Sequence, residues 1–224
     1  MNKAFGFFLF ALIVCVGIFI GYYTLRSLHE NKILKEVIHR LEADSRIAEV
    51  LVTDVHYDEN TQKTFTTIKF LEYEADGNAL RPRYFTLPGN VIQFQSLVIR
   101  FDDFYVRKGD PLRGKSASLF WKVFVLDGPN TVEYEITKAH EIPQGYDVEH
   151  IDDPFEQKLW KEFWTFALDP TKAKRTGIKN VQIEAPGTMF IPGTLYTINI
   201  EHDGGIRIDV HPLPEILKGE SIPQ

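Results

Sequence analysis

The chain has 224 residues, with 25 Lys and Arg against 31 Asp and Glu, a net charge of −6. All the acids and every base but Lys3 follow residue 25, so the later part carries 24 bases against 31 acids, a net −7. That balance excludes a general nucleic-acid binder, which needs a basic footprint to displace counterions from phosphates, and argues against tight adsorption to anionic lipid. With Cys15 the only cysteine, the remainder has no disulfide, no cysteine nucleophile and no thiolate zinc site.

The first predicted element is the uncharged stretch AFGFFLFALIVCVGIFIGYYTL, Ala4 to Leu25. At 1.5 Å per residue it makes a helix of roughly 33 Å, enough to cross a hydrocarbon core of about 30 Å. The run exceeds the apolar region of a cleavable signal peptide and ends in Gly21, Tyr22 and Tyr23, with no small-x-small cleavage site. Lipidation at Cys15 is disfavoured because bulky Val14 precedes it and it lies in mid-span. An uncleaved anchor, residues 1–25, is therefore expected, with the bilayer as partner through residues 4–25. Tyr22 and Tyr23 suit the headgroup interface. Gly17 and Gly21 form a GxxxG pair, a spacing that lets two helices approach closely and would support a homodimer. The N terminus is expected in the cytoplasm and the large domain outside it. Counted literally, Lys3 against Arg26, Lys32, Lys35 and Arg40 points the other way, but long domains translocate largely regardless of charge.

Residues 26–45 read as a helical stalk free of Gly and Pro, with Leu34, Val37, Ile38 and Leu41 as an apolar stripe. The stripe lasts little more than one heptad, which favours docking on the following domain over a coiled coil.

From residue 46 to 214 the pattern turns to β. Ala48 to Tyr57 and Thr64 to Tyr73 flank the polar turn Asp58-Glu59-Asn60, a hairpin pattern. Arg83 to Leu87 follows, then Pro88-Gly89-Asn90 and the strand Val91 to Phe101. In Ser116 to Leu126, strict alternation puts Leu119, Trp121, Val123 and Val125 on one face. Gly128-Pro129 turns into Thr131 to Thr137, where Val132, Tyr134 and Ile136 alternate with Glu133 and Glu135. Turns every 8–15 residues predict an antiparallel sandwich or barrel-like domain. One amphipathic helix, 154–168, interrupts it. Asp153 is its N-cap, Pro154 its first residue and Glu156 the capping-box acid. Phe155, Leu159, Phe163 and Phe166 share a side that Trp160, Trp164 and Ala167 widen. Thr194 to Glu201 and Ile206 to Val210 pair across Asp203-Gly204-Gly205, and residues 215–224 form a polar tail. Leu195 breaks the alternation of Tyr196, Ile198 and Ile200, which points to burial on both faces there.

No P-loop, Rossmann glycine fingerprint, GxSxG elbow or HExxH helix occurs. Asp54, His56 and Asp58 are the leading metal candidates, since i, i+2 and i+4 share one face of a strand. A solvated strand end shows the same pattern. Glu201, His202 and Asp203 face opposite ways on a strand. His150, Asp152 and Asp153 precede the helix, and Lys172, Lys174, Arg175 and Lys179 make a basic loop, the bland reading of which is solvation. Trp160 and Trp164 offer either an interaction platform or core packing.

These features predict a single-pass, membrane-anchored envelope protein acting as scaffold, assembly factor or accessory subunit through a β domain, with a protein partner. It needs no cofactor and offers no assigned catalytic residue, so the reading leans away from an enzyme. The alternative is an envelope hydrolase or carbohydrate-active protein using acidic and His groups. The layout of span, short helix and β domain is that of envelope scaffolds by analogy alone.

Overall fold

The computed structural model describes residues 3–41, 47–74, 77–101, 116–144, 146, 153–169, 171, 178–201 and 205–214. Helix α1 (Lys3–Leu41) runs unbroken through the apolar stretch and well into the predicted stalk. Nothing after Gly21 interrupts its good helix formers. Its large described apolar side chains are exposed from Phe7 to Leu28, and Ile33 is the first of them to be fully buried. The side chains of Leu34, Val37, Ile38 and Leu41 lie outside the described residues.

Among the described residues ten strands follow: β1 (Ile47–Asp58), β2 (Lys63–Tyr73), β3 (Arg83–Pro88), β4 (Val91–Phe101), β5 (Ser116–Asp127), β6 (Asn130–Glu135), β7 (Ile178–Glu184), β8 (Gly187–Met189), β9 (Thr194–Ile200) and β10 (Ile206–Pro212). A second helix, α2 (Pro154–Leu168), lies between β6 and β7. All pairings among the described strands are antiparallel, in two sheets. One has the order β10-β9-β1-β2-β3, the other β6-β5-β4-β7, with β8 pairing further along β4.

The chain passes from the first sheet to the second in two residues, Gly89 and Asn90. Gly89 sits at φ +81°, a left-handed conformation that costs glycine least. Its N–H donates to the Thr64 carbonyl at 2.7 Å. On the far edge of β4, Pro186 separates β7 from β8. It has no N–H to give a ladder, but its carbonyl accepts from Phe94 N. Gly187 then passes so close that a Cβ there would lie 2.7 Å from Gln93 Cγ.

One apolar core is shared by both sheets. Val50, Ile68, Phe70 and Tyr196 come from the first, Phe94, Phe120 and Val123 from the second. Phe70 is central: its ring stacks on Phe94 at 5.6 Å and meets Phe120 and Phe85 edge-on at 5.4 and 6.4 Å. The edges β3 and β6 are tied together by Tyr134, whose hydroxyl donates to the Thr86 carbonyl at 2.9 Å.

A second core brings Ile33 of α1 together with Leu97 of β4, Leu119 of β5, Tyr146, and Trp160, Trp164 and Ala167 of α2. It exists because β5 does not keep the strict alternation expected of it. The register slips at Trp121, where Gln95 opposes Lys122 but Ser96 opposes Phe120. One extra residue reverses which side chains face which way. Val123, Val125 and Phe120 thus belong to the first core and Leu119 to the second, so the expected single face of Leu119, Trp121, Val123 and Val125 is corrected. The freed Trp121 carbonyl takes two donors, Ile136 N and Thr137 N. At β9, Tyr196 is buried and Leu195 half-buried opposite buried Leu51, as the broken alternation implied.

Candidate functional site

The N terminus of α2 is held as its sequence dictates. Asp153 has extended backbone, and its Oδ1 accepts from the N–H groups of Phe155 and Glu156 at 2.8 and 3.1 Å. The other carboxylate oxygen accepts from His29 Nε2 of α1 at 3.0 Å, a link across 124 residues. Hydrogen bonding from His29, more than from the two amides, holds the Asp153 carboxyl below its ordinary range. Sequence reading found the cap but missed the imidazole. Only a histidine one turn before an inward-facing Ile33 hinted at it.

Trp160 and Trp164 lie inside, at 1% and 0% exposure. The Trp164 indole N–H donates to the Glu141 carbonyl at 2.8 Å. Tyr146 packs edge-on to Trp160 at 5.4 Å. The two indoles therefore fill the second core, and the exposed platform considered for them is corrected. Apolar surface at these positions is stabilised by burial against the sheet and Ile33.

Of the metal candidates, the structure brings two together. His56 Nδ1 hydrogen-bonds Asp54 Oδ2 at 2.7 Å, and the imidazole stacks on the cross-strand Phe65 at 5.7 Å. Asp58 turns to the hairpin loop, accepting from Thr61 Oγ1 and Asn60 N at 2.8 and 2.9 Å, which lowers its pKa. Both members of the His56–Asp54 pair are about half exposed. Among the described residues, no three His, Cys, Asp or Glu side chains could hold one ion. His150, Asp152, His202, Asp203, Lys172, Lys174 and Arg175 lie outside the described residues.

Gly17 and Gly21 sit on the exposed surface of α1, where an added Cβ would meet nothing within 4 Å. Their own chain does not require glycine there, and the groove they leave faces outward.

An open cleft of about 460 Å³ lies between the start of β2, the β3–β4 turn and the end of β5. Lys63 and Asp127 form an ion pair across it. Asn90 and Gln93 contribute amides, each able to donate and accept. Val91 and Leu126 offer exposed apolar surface. Its one acidic and one basic side chain are paired to each other.

Near the opposite ends of β1 and β2, the Tyr73 hydroxyl donates to Glu49 Oε2 at 2.7 Å. Burial first, then this carboxylate, pushes the phenol up to about 12. Burial lowers Arg83, against the pull of Glu72, and its guanidinium reaches Gln144 Oε1 at 3.1 Å.

Compared with known protein-family models, curated proteins and solved structures, the chain matches none of them.

Proposed function

We propose that this chain is a single-pass envelope membrane protein whose β domain binds a protein partner as scaffold, assembly factor or accessory subunit. Residues 4–25 cross the bilayer with the N terminus cytoplasmic and the β domain extracytoplasmic. The two sheets act as a sandwich, with amphipathic α2 sealing the outer face of the second sheet.

The observation that carries this reading is α1. One continuous helix leaves its large described apolar side chains exposed from Phe7 to Leu28, then buries Ile33 in the domain. So much exposed apolar surface on one helix needs a covering medium, and lipid is the one whose thickness it matches. The domain is thereby fixed to its anchor. We assign partner contact to the cleft by Leu126, where the Lys63–Asp127 pair is internally neutralised and favours an uncharged segment of the partner.

Gentle detergent extraction followed by identification of stoichiometric co-purifying proteins tests it. A partner should remain when residues 4–25 are exchanged for an unrelated span, and should be lost in Leu126→Arg, an exposed substitution that leaves both cores intact. A lone monomer, or a partner held only through the native span, refutes the scaffold reading. Protease access in intact cells and sealed vesicles checks the orientation.

A further inference from the structure

We infer that the N-terminal turn of α2 lies in the phospholipid headgroup layer, so that the β domain rests on the bilayer instead of standing off it. This rests on the reading of α1 as a membrane span. The argument is one of distance along a rigid rod. The uncharged stretch ends at Leu25, and His29 follows four residues later in the same unbroken helix. Four residues rise about 6 Å. The polar zone on each side of the hydrocarbon is about 5–7 Å deep. His29 thus sits within that zone, and its hydrogen bond to Asp153 brings the cap of α2 to the same level. Pro154, the next residue, is exposed.

One further observation holds the geometry. Ile33 is fully buried against β4, β5 and α2, one turn beyond His29 on α1, so the rod meets the domain at two successive turns. Tilting α1 only shortens its rise along the membrane normal, which brings α2 closer to the lipid. Charge attraction is not what holds the domain down, since the part outside the span is net acidic. The helix imposes the contact.

Spin-label depth measurement in phosphatidylcholine nanodiscs tests this on the full chain. With Cys15→Ala as background, single cysteines at Tyr22→Cys, Leu28→Cys and Pro154→Cys carry the label. All three positions are exposed. Relative access to oxygen and to an aqueous nickel chelate gives the depth of each. The Pro154→Cys label should match the Leu28→Cys label, within about 6 Å of the hydrocarbon boundary. A Tyr22→Cys label inside the hydrocarbon with a fully aqueous Pro154→Cys label overturns the inference and leaves the span standing. A fully aqueous Tyr22→Cys label overturns the span and the inference with it. Blue-shifted emission from buried Trp160 and Trp164 verifies that each labelled variant is folded.

Discussion

Replacing Asp153 separates the two jobs of one carboxylate. In Asp153→Ala the cap on Phe155 N and Glu156 N is lost together with the acceptor for His29 Nε2. Loss of such a cap costs about 1 kcal/mol. The His29 bond, half exposed, adds about 0.5 kcal/mol. The expected destabilisation of about 1.5 kcal/mol lowers Tm by about 3–6 °C for a domain of this size. Asp153→Asn keeps a good capping acceptor and should lose only a few tenths of a kcal/mol. His29→Ala should lose about 0.5 kcal/mol, and in the double variant with Asp153→Ala that loss should vanish. Urea unfolding in detergent, followed by tryptophan emission, reads all four, because Trp160 and Trp164 are buried one to three turns along α2. The sign with pH is fixed as well. The folded-state carboxyl is depressed below 3.8, so its contribution is complete above that value and fades as pH falls through the depressed one. The gap between wild type and Asp153→Asn should therefore close in strong acid. Equal losses in Asp153→Asn and Asp153→Ala would refute the capping argument, and an unchanged His29→Ala/Asp153→Ala increment would refute the link between α1 and α2.

Phe70→Ala removes the ring on which Phe94, Phe120 and Phe85 converge, and should cost about 3–5 kcal/mol, measured by the same urea transition. Tyr73 should resist ionisation until about pH 12, followed by absorbance of the phenolate. Its raised pKa stabilises the fold up to the ordinary value of 10.0, a contribution lost as pH rises toward 12. Glu49→Gln should lower the midpoint only partly, since burial is the larger cause. On the proposed span, Val16→Arg places a charge at its middle at a cost of about 2.5–3.5 kcal/mol, and should move protein out of the carbonate-resistant membrane fraction. Unaltered fractionation would count against insertion.

What the residues settled by themselves is local. An uncharged run, a Pro after a capping Asp and strands bounded by Gly and Asn each depend on neighbours a few positions away, so α1, α2 and most strands stand near their expected bounds. The polar turn Asp58-Glu59-Asn60 closes its hairpin because the Asp58 carboxylate bonds its own loop. That same local bond keeps Asp58 from joining Asp54 and His56, which periodicity alone had placed together.

Only the tertiary structure decided which sheet each strand joins, and which side of β5 looks inward. An antiparallel partner is chosen by long-range closure, and a single extra residue at Trp121 reverses side-chain direction without any mark in the composition. The fate of Trp160 and Trp164 was decided in the same way. A wide aromatic arc reads alike whether it meets solvent or a sheet, and the arrival of Ile33 from another helix made it interior. The contact between His29 and Asp153 joins residues 124 apart. No local pattern encodes such a pair, because its two halves meet only once α1 has docked beside α2 at the second core.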